Sequence, residues 1–376
     1  MQEKMKKIAA LFCWLSLLAG GVGLSCQVPV FRFALERWPA DRFQLLVASR
    51  GPLEEGLAKE VASLRRAIEA DANEINVDLQ QVDVDQLSEA ERISHPALDH
   101  LGEGPGLILM PPASWKTEDP VWVGEATTES LMRLLDSPLR QRCGDALVKG
   151  ASAVWVLVEC GDAEKDRQAR ELLEAGVKKA AETLELPEGI IRREDLNKDY
   201  SNIDPDNILR SDVPLHISFA TESVSRDDPA EDIFLTMLVE PEALELNEPL
   251  IVPVFGRGRT FGGLAASQSS VERIVGASEY LCGACSCQVK EGNPGYDLLI
   301  RRNWDAILEI EEITPDSEII QAALDVVTFE PREETNLAEG EEPPAGRSAT
   351  LLWIAIGGVG LMAGLGYLRF RNSAAA

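Results

Sequence analysis

An internal repeat constrains the fold of this chain more than any other feature of its sequence. Strand-like and helix-like patterns follow one another in the order β-α-β-α-β-β-α, and this order occurs twice between residues 43 and 281. In the first copy, residues 43–49 (FQLLVAS) form a short apolar run and residues 52–70 have apolar residues at helical spacing. In the second copy, residues 153–159 (AVWVLVE) and 163–184 show the same two patterns. The repeat predicts two similar α/β units in tandem.

The second copy continues with a strand predicted at residues 216–220 and a helix at 229–238. A hairpin follows, because residues 250–255 and 259–265 flank the turn sequence Gly256-Arg257-Gly258. A helix at residues 270–281 closes the copy.

This order, with a proline leading into the final hairpin, resembles the thioredoxin fold. Pro249 in the second copy and Pro105 in the first stand where that fold places a cis-proline before its hairpin. The resemblance implies an α/β protein of two consecutive thioredoxin-like domains, each a mixed sheet flanked by helices. The opening QVPVFRFALERW, directly after Cys26, also resembles the start of an uncharacterised family of exported, membrane-anchored bacterial proteins, which implies no activity.

The first 25 residues have the order of a secretory signal peptide. Three lysines precede an apolar run, and small residues lead to Cys26. The sequence Gly23-Leu24-Ser25 before Cys26 suits ordinary cleavage, and it also partly matches the bacterial motif that ends in a lipidated cysteine. Cys26 is therefore a lipidation candidate, with simple cleavage nearby as the alternative.

Residues 348–368 predict a C-terminal transmembrane helix. The stretch is apolar, is long enough to cross a bilayer, and is followed by Arg369 and Arg371, which mark the cytoplasmic side. The body of the protein is then extracytoplasmic, or periplasmic, and residues 369–376 form a cytoplasmic tail. Gly360 and Gly364 have the spacing of a helix-packing motif, which would support a weak homodimer.

The formal net charge of -27 excludes nucleic acid as a partner, because binding a phosphate backbone needs concentrated positive charge.

The remaining boundaries follow from composition and element order. The predicted organisation is a signal peptide at 1–25, a helical lead-in at 26–42, domain 1 at 43–150, domain 2 with its cysteine cluster at 151–290, a C-terminal extension at 291–327 and an acidic, proline-containing tether at 328–347.

The cysteines depart from the pattern of thioredoxin-like oxidoreductases, which have a Cys-x-x-Cys motif where the first strand meets the first helix. The first copy has Ser49-Arg50-Gly51-Pro52 there, without sulfur. The second copy has Cys160-Gly161-Asp162-Ala163, with a single thiol. Cys160 would support monothiol exchange, and the alternative is a small residue that ends a buried strand.

A second group of thiols, Cys282, Cys285 and Cys287, lies after the closing helix. We weigh three interpretations: a structural disulfide, which is favoured outside the cytoplasm, a redox pair of Cys282 with Cys285, and a metal site. Tetrahedral zinc would need a fourth ligand from Cys143, Cys160 or His216, and Cys143 is also a possible disulfide partner of Cys287.

Asp195, Asn197 and Asp199 have the alternate spacing of calcium-binding loops. Tyr200 stands where such a loop needs glycine, and no glutamate occupies the twelfth position, so a solvated, turn-rich insertion is the simpler interpretation. No cofactor motif is present.

The sequence therefore predicts a membrane-tethered scaffold or partner-binding protein, accessory to a membrane complex and with a protein partner at the membrane. The missing dithiols favour a function without catalysis. The alternative is an extracytoplasmic thiol-disulfide oxidoreductase that uses Cys282 and Cys285, or Cys160.

Overall fold

The fold is described from a computed structural model of the chain. The chain divides into Met1–Val327 and Thr328–Ala376, and all described residues belong to the first part. The structure describes residues 26–71, 74–89, 92, 96–101, 104–192 and 205–310.

The first copy of the repeat forms a four-stranded mixed sheet. The strand order is β2-β1-β3-β4, in which β1 is parallel to β2 and antiparallel to β3. The elements up to the end of this copy are α1 (Val30–Arg37), β1 (Phe43–Ser49), α2 (Glu55–Ala70), β2 (Val77–Asp83), β3 (Gly106–Met110), β4 (Trp122–Glu125), α3 (Thr128–Leu135) and α4 (Pro138–Val148).

The second copy forms a six-stranded mixed sheet with the same central pairings. The order is β10-β8-β7-β5-β6, with β9 also paired to β7. Strand β5 is parallel to β6 and antiparallel to β7. The elements are β5 (Ala153–Glu159), α5 (Ala163–Thr183), β6 (Phe219–Ser225), α6 (Asp232–Leu238), α7 (Pro241–Leu244), β7 (Leu250–Phe255), β8 (Arg259–Thr260), β9 (Leu264–Ala265), α8 (Val271–Cys282), α9 (Cys287–Gly292), β10 (Tyr296–Asp297) and α10 (Trp304–Leu308).

These two sheets confirm the prediction of a mixed α/β protein in which mixed sheets are flanked by helices. One predicted strand is misplaced, however, because residues 219–225 rather than 216–220 pair with β5. The parallel register begins with Ala153 opposite Phe219 and ends with Glu159 opposite Ser225. This edge strand has mostly polar side chains, so its sequence contains little apolar signal.

Successive residues of β5 and β7 contribute to two different apolar clusters. Val154, Val156 and Val158 belong to a large cluster that also contains Phe43 and Leu45 of the first sheet. Trp155, between two of these valines, belongs to a second cluster, together with residues of α1, α5 and α8. Since side chains alternate across a strand, the second sheet has buried apolar faces on both sides.

Helix α1 contains the FRFALER part of the N-terminal motif and is almost entirely buried. Its Arg32 and Glu36 form an ion pair with Nε to Oε1 at 2.8 Å, and both side chains have no exposed area. The backbone N–H of Ser211 donates to Oε1 of Glu36 at 3.0 Å, and Arg32 donates to the carbonyl of Val213 at 2.8 Å. The polar residues of the motif thus attach α1 to residues 210–213.

Within the described part of the chain, no helix combines the length and the apolar character needed to cross a membrane. The predicted signal peptide, tether and transmembrane segment, with Gly360 and Gly364, lie outside the described residues.

Candidate functional site

The turn after the first strand has the same backbone shape in both copies. Two residues beyond the end of β1, Gly51 has a φ of 88°, and two residues beyond the end of β5, Gly161 has a φ of 86°. These positive angles favour glycine, because a Cβ would be strained there. In the first copy the hydroxyl of Ser49 donates to the carbonyl of Gly51 at 2.9 Å. The first turn therefore keeps the predicted geometry without a thiol.

In the second copy, Cys160 lies in the equivalent turn and is partly exposed. Its backbone N–H donates to Oδ1 of Asp166 at 2.8 Å, and the N–H of Gly161 donates to Oδ2 of the same carboxylate at 3.0 Å. Asp162 caps α5 by accepting from the N–H groups of Glu164 and Lys165. The Asp166 carboxylate thus holds the backbone of this turn, and the Asp162 carboxylate occupies the first N–H groups of α5.

A cavity of about 490 Å³ lies between the start of α5 and the loop before β7. Two of its lining residues are bonded to each other, because the ammonium of Lys165 donates to the carbonyl of Asn247 at 2.7 Å. The Glu248 carboxylate accepts from the backbone N–H of Ser267 at 3.1 Å, and hydrogen bonds from Ser267 hold the pKa of Glu248 below its ordinary value. The cavity is lined by Lys165, Gln168, Ala169, Leu172, Asn247, Glu248, Pro249, Ala266 and Ser267.

The two prolines before the hairpins occupy matching positions. The carbonyl of Pro105 accepts from the N–H of Ala126 at 2.9 Å, and the carbonyl of Pro249 accepts from the N–H of Ala266 at 2.8 Å. No peptide bond of the described residues is cis, so neither Pro105 nor Pro249 has the cis geometry that the resemblance implies. Both proline carbonyls are thus engaged within the protein, and Pro249 also lines the cavity.

The cysteine cluster is mostly buried. Cys282 ends α8 and is 1% exposed, and Cys285, in the connection to α9, has no exposed area. Burial raises the pKa of each thiol to about 12. Cys287 is the exposed first residue of α9. The two cysteines of the predicted redox pair therefore stay protonated at neutral pH in this structure, which makes them poor nucleophiles.

Cys26 and Cys143 are also buried thiols. The Sγ of Cys26 donates to the carbonyl of Asp206 at 3.1 Å, and Cys26 belongs to the same apolar cluster as Cys282 and Cys285. Cys143, on α4, belongs to the large cluster, and burial raises its pKa to about 12. The structure describes these cysteines and Cys160 as free thiols.

The predicted zinc ligands are not brought together. Asp195, Asn197 and Asp199 lie outside the described residues, so the calcium prediction is untested. Elsewhere in the described chain, no three histidine, cysteine, aspartate or glutamate side chains are grouped closely enough to hold a metal ion.

Sequence reasoning missed a residue that holds the loop before β7. Arg226, directly after β6, donates to the carbonyls of Leu244, Leu246 and Glu248 at 2.6, 2.6 and 2.8 Å. It also donates from its backbone N–H to the carbonyl of Glu159 at 3.2 Å. The only sequence signal is a basic residue after an edge strand, which does not reveal these contacts.

A scan against protein-family models finds no match to this chain. The search of curated proteins likewise finds no relative.

Proposed function

We propose that this protein is a membrane-tethered, extracytoplasmic scaffold or partner-binding protein built on two degenerate thioredoxin-like domains, accessory to a membrane complex. The tandem resemblance is supported by the equal pairing of the central strands in both sheets and by the matching glycine turns and proline carbonyls. The location is proposed from the sequence of the two terminal segments.

One observation favours binding over thiol chemistry: neither turn at the first strand contains two cysteines. The first turn has no sulfur, and the second has Cys160 alone, with Ala163 in place of a resolving thiol. A dithiol reaction needs an accessible thiolate with a second thiol beside it.

The alternative is an oxidoreductase that uses Cys282 and Cys285, or Cys160. The raised pKa values of Cys282 and Cys285 oppose the first version, because the protonated thiols react slowly. The second version, monothiol exchange at Cys160, rests only on partial exposure of that residue.

The cavity beside Pro249 is the surface that we assign to the protein partner. Its lining combines the apolar side chains of Ala169 and Leu172 with exposed polar side chains, including Gln168 and Ser267. Such a combination suits a partner side chain or loop that brings both apolar and hydrogen-bonding groups.

Site-specific photo-cross-linking in the producing cells tests this assignment. A benzophenone amino acid at Gln168 should give an adduct of one discrete mass, and Ser267→Trp, which fills the cavity, should remove that adduct. The same probe at Lys178 is the matched control, because Lys178 lies on the same helix, is 77% exposed and does not line the cavity.

A disulfide-reduction assay on the purified full chain tests the alternative. We expect turnover no faster than that of free dithiothreitol, and no difference between the wild type and Cys160→Ser. Turnover that Cys160→Ser or Cys282→Ser abolishes would contradict the binding proposal, as would equal cross-linking from Gln168 and Lys178.

A further inference from the structure

Two of the buried thiols, Cys26 and Cys285, lie on segments that pair with each other. Pro29 and Ala284 form an antiparallel bridge. The N–H of Val30 donates to the carbonyl of Gly283 at 3.0 Å, and the N–H of Cys285 donates to the carbonyl of Val28 at 2.9 Å. The start of the described chain is therefore hydrogen-bonded to the connection between α8 and α9.

This pairing brings Cys285 close to Cys26. The N–H of Cys285 is bonded to the carbonyl of Val28, two residues after Cys26, so Cys285 is a diagonal neighbour of Cys26 across the two segments. All three side chains have no exposed area and belong to the same apolar cluster. Cys287 would be the next position along the pairing, but α9 begins there and its side chain is exposed.

The two thiols also share their charged surroundings. Lys290, Arg37 and Asp206 each act on the pKa of both Cys26 and Cys285, and the charge of Cys26 raises the pKa of Cys285. The ammonium of Lys290 forms an ion pair with the Asp206 carboxylate. The Cys26 thiol donates a hydrogen bond to the backbone carbonyl of the same aspartate. Cys282 has a different neighbour, the Ser152 hydroxyl. Cys285 is thus the thiol that shares a site with Cys26.

We propose that Cys26 and Cys285 form a disulfide that fastens the N-terminal segment to the α8–α9 connection. This inference rests on the extracytoplasmic location proposed above, where oxidising conditions prevail. It goes beyond the proposed function in assigning the sulfur of Cys26 to a disulfide, which leaves that sulfur unable to bear a lipid.

The bond forms by two exchange steps with a small disulfide such as oxidised glutathione. The thiolate of Cys26 attacks one sulfur of the small disulfide, and a glutathione thiolate leaves. The Cys285 thiolate then attacks the Cys26 sulfur of this mixed disulfide, and the second glutathione thiolate leaves. The two cysteines lose two protons and two electrons, and the small disulfide becomes two thiols.

Both thiols are buried once the chain is folded, so exchange must take place while the N-terminal segment is still undocked. The same burial then protects the finished bond from soluble reductants. We therefore expect a bond that native protein retains in dithiothreitol concentrations that reduce an exposed disulfide.

Peptide mapping of the full chain, purified from cells with free thiols blocked and without reductant, tests the pairing. Trypsin cleaves after Arg32, Arg273 and Lys290, so Cys26 and the three clustered cysteines fall in separate peptides. We expect these two peptides to be joined before reduction, with fragmentation locating the bond at Cys285. Cys282→Ser and Cys287→Ser should keep the link, whereas Cys285→Ser should lose it and free one Cys26 thiol per chain.

A second sample distinguishes failure of the proposed disulfide pairing from failure of the proposed extracytoplasmic location. Reduced, unfolded full chain is refolded in a glutathione redox buffer and mapped in the same way. A link in this sample but free thiols in the cellular sample would contradict the location and leave the pairing intact. No Cys26–Cys285 link in either sample would overturn the pairing, and so would a lipid thioether or a retained metal ion on Cys26.

Discussion

Helices α5 and α8 pack closely at Gly176, and this contact gives the sharpest stability prediction. A Cβ added to Gly176 would lie 2.7 Å from both Cβ and Cγ2 of Ile274 and 2.8 Å from its Cδ1. Ile274 is 3% exposed, and a β-branched side chain in a helix has little rotamer freedom, so it cannot move aside. We expect Gly176→Ala to force the two helices apart.

The expected magnitude follows from two opposing effects. Overpacking of this kind lowers the free energy of unfolding by about 1–3 kcal/mol. Replacing glycine by alanine inside a helix raises it by about 1 kcal/mol. Gly276→Ala is the matched control, because Gly276 lies within α8 and its added Cβ would have no neighbour within 4 Å. The helix-propensity gain cancels between the two variants, so their difference in unfolding free energy should equal the overpacking cost.

Urea unfolding of the full chain, followed by tryptophan fluorescence, measures this difference. Trp155 is a suitable reporter, because it is 3% exposed and belongs to the same apolar cluster as Ile274. Gly176→Ala should unfold at lower urea than the wild type, and Gly276→Ala at higher urea. Equal stabilisation by both substitutions would refute the close contact.

Two further predictions concern buried charges. Glu36→Gln leaves the Arg32 guanidinium buried without its carboxylate, so we expect the free energy of unfolding, measured in urea, to fall by about 3–5 kcal/mol. A fall of less than about 1 kcal/mol would contradict the buried ion pair. Burial raises the pKa of Asp297, beside Arg259, to about 6. The folded carboxyl then keeps a proton that the unfolded chain releases, so its contribution to stability falls as pH rises from about 4 to about 6. Asp297→Asn should remove this pH dependence of the urea midpoint. Parallel profiles of urea midpoint against pH for the wild type and Asp297→Asn would contradict the raised pKa.

The sequence was sufficient for the central strands. Residues 43–49, 153–159 and 250–255 are strands with the predicted bounds, because each is a mostly apolar run that is largely buried in a sheet. Edge strand β6 was misplaced, since its position is decided by hydrogen bonding to β5 rather than by an apolar pattern. Helix α4 was expected around Cys143 but without bounds, because its buried Arg140 interrupts the apolar spacing.

The candidate site was predictable only where it depends on local order. The turn at Cys160 followed from the repeated strand and helix pattern, and Cys160 lies there. The Asp166 contacts, the carbonyl contacts of Arg226 and the proximity of Cys26 to Cys285 join residues through tertiary packing. Neither periodicity nor spacing along the chain encodes such contacts.

The large apolar cluster has a consequence for how the two copies of the repeat can exist apart. It contains Phe43 of the first sheet and Val156 of the second, and the N–H of Leu139 donates at 2.6 Å to Glu231, which belongs to the second copy. The two copies therefore share this cluster, and separating them would expose its apolar side chains on both. Fragments divided at Gly150 should each be insoluble when produced separately, yet they should recover a native-like complex when they are co-expressed, as the two parts of a split protein do.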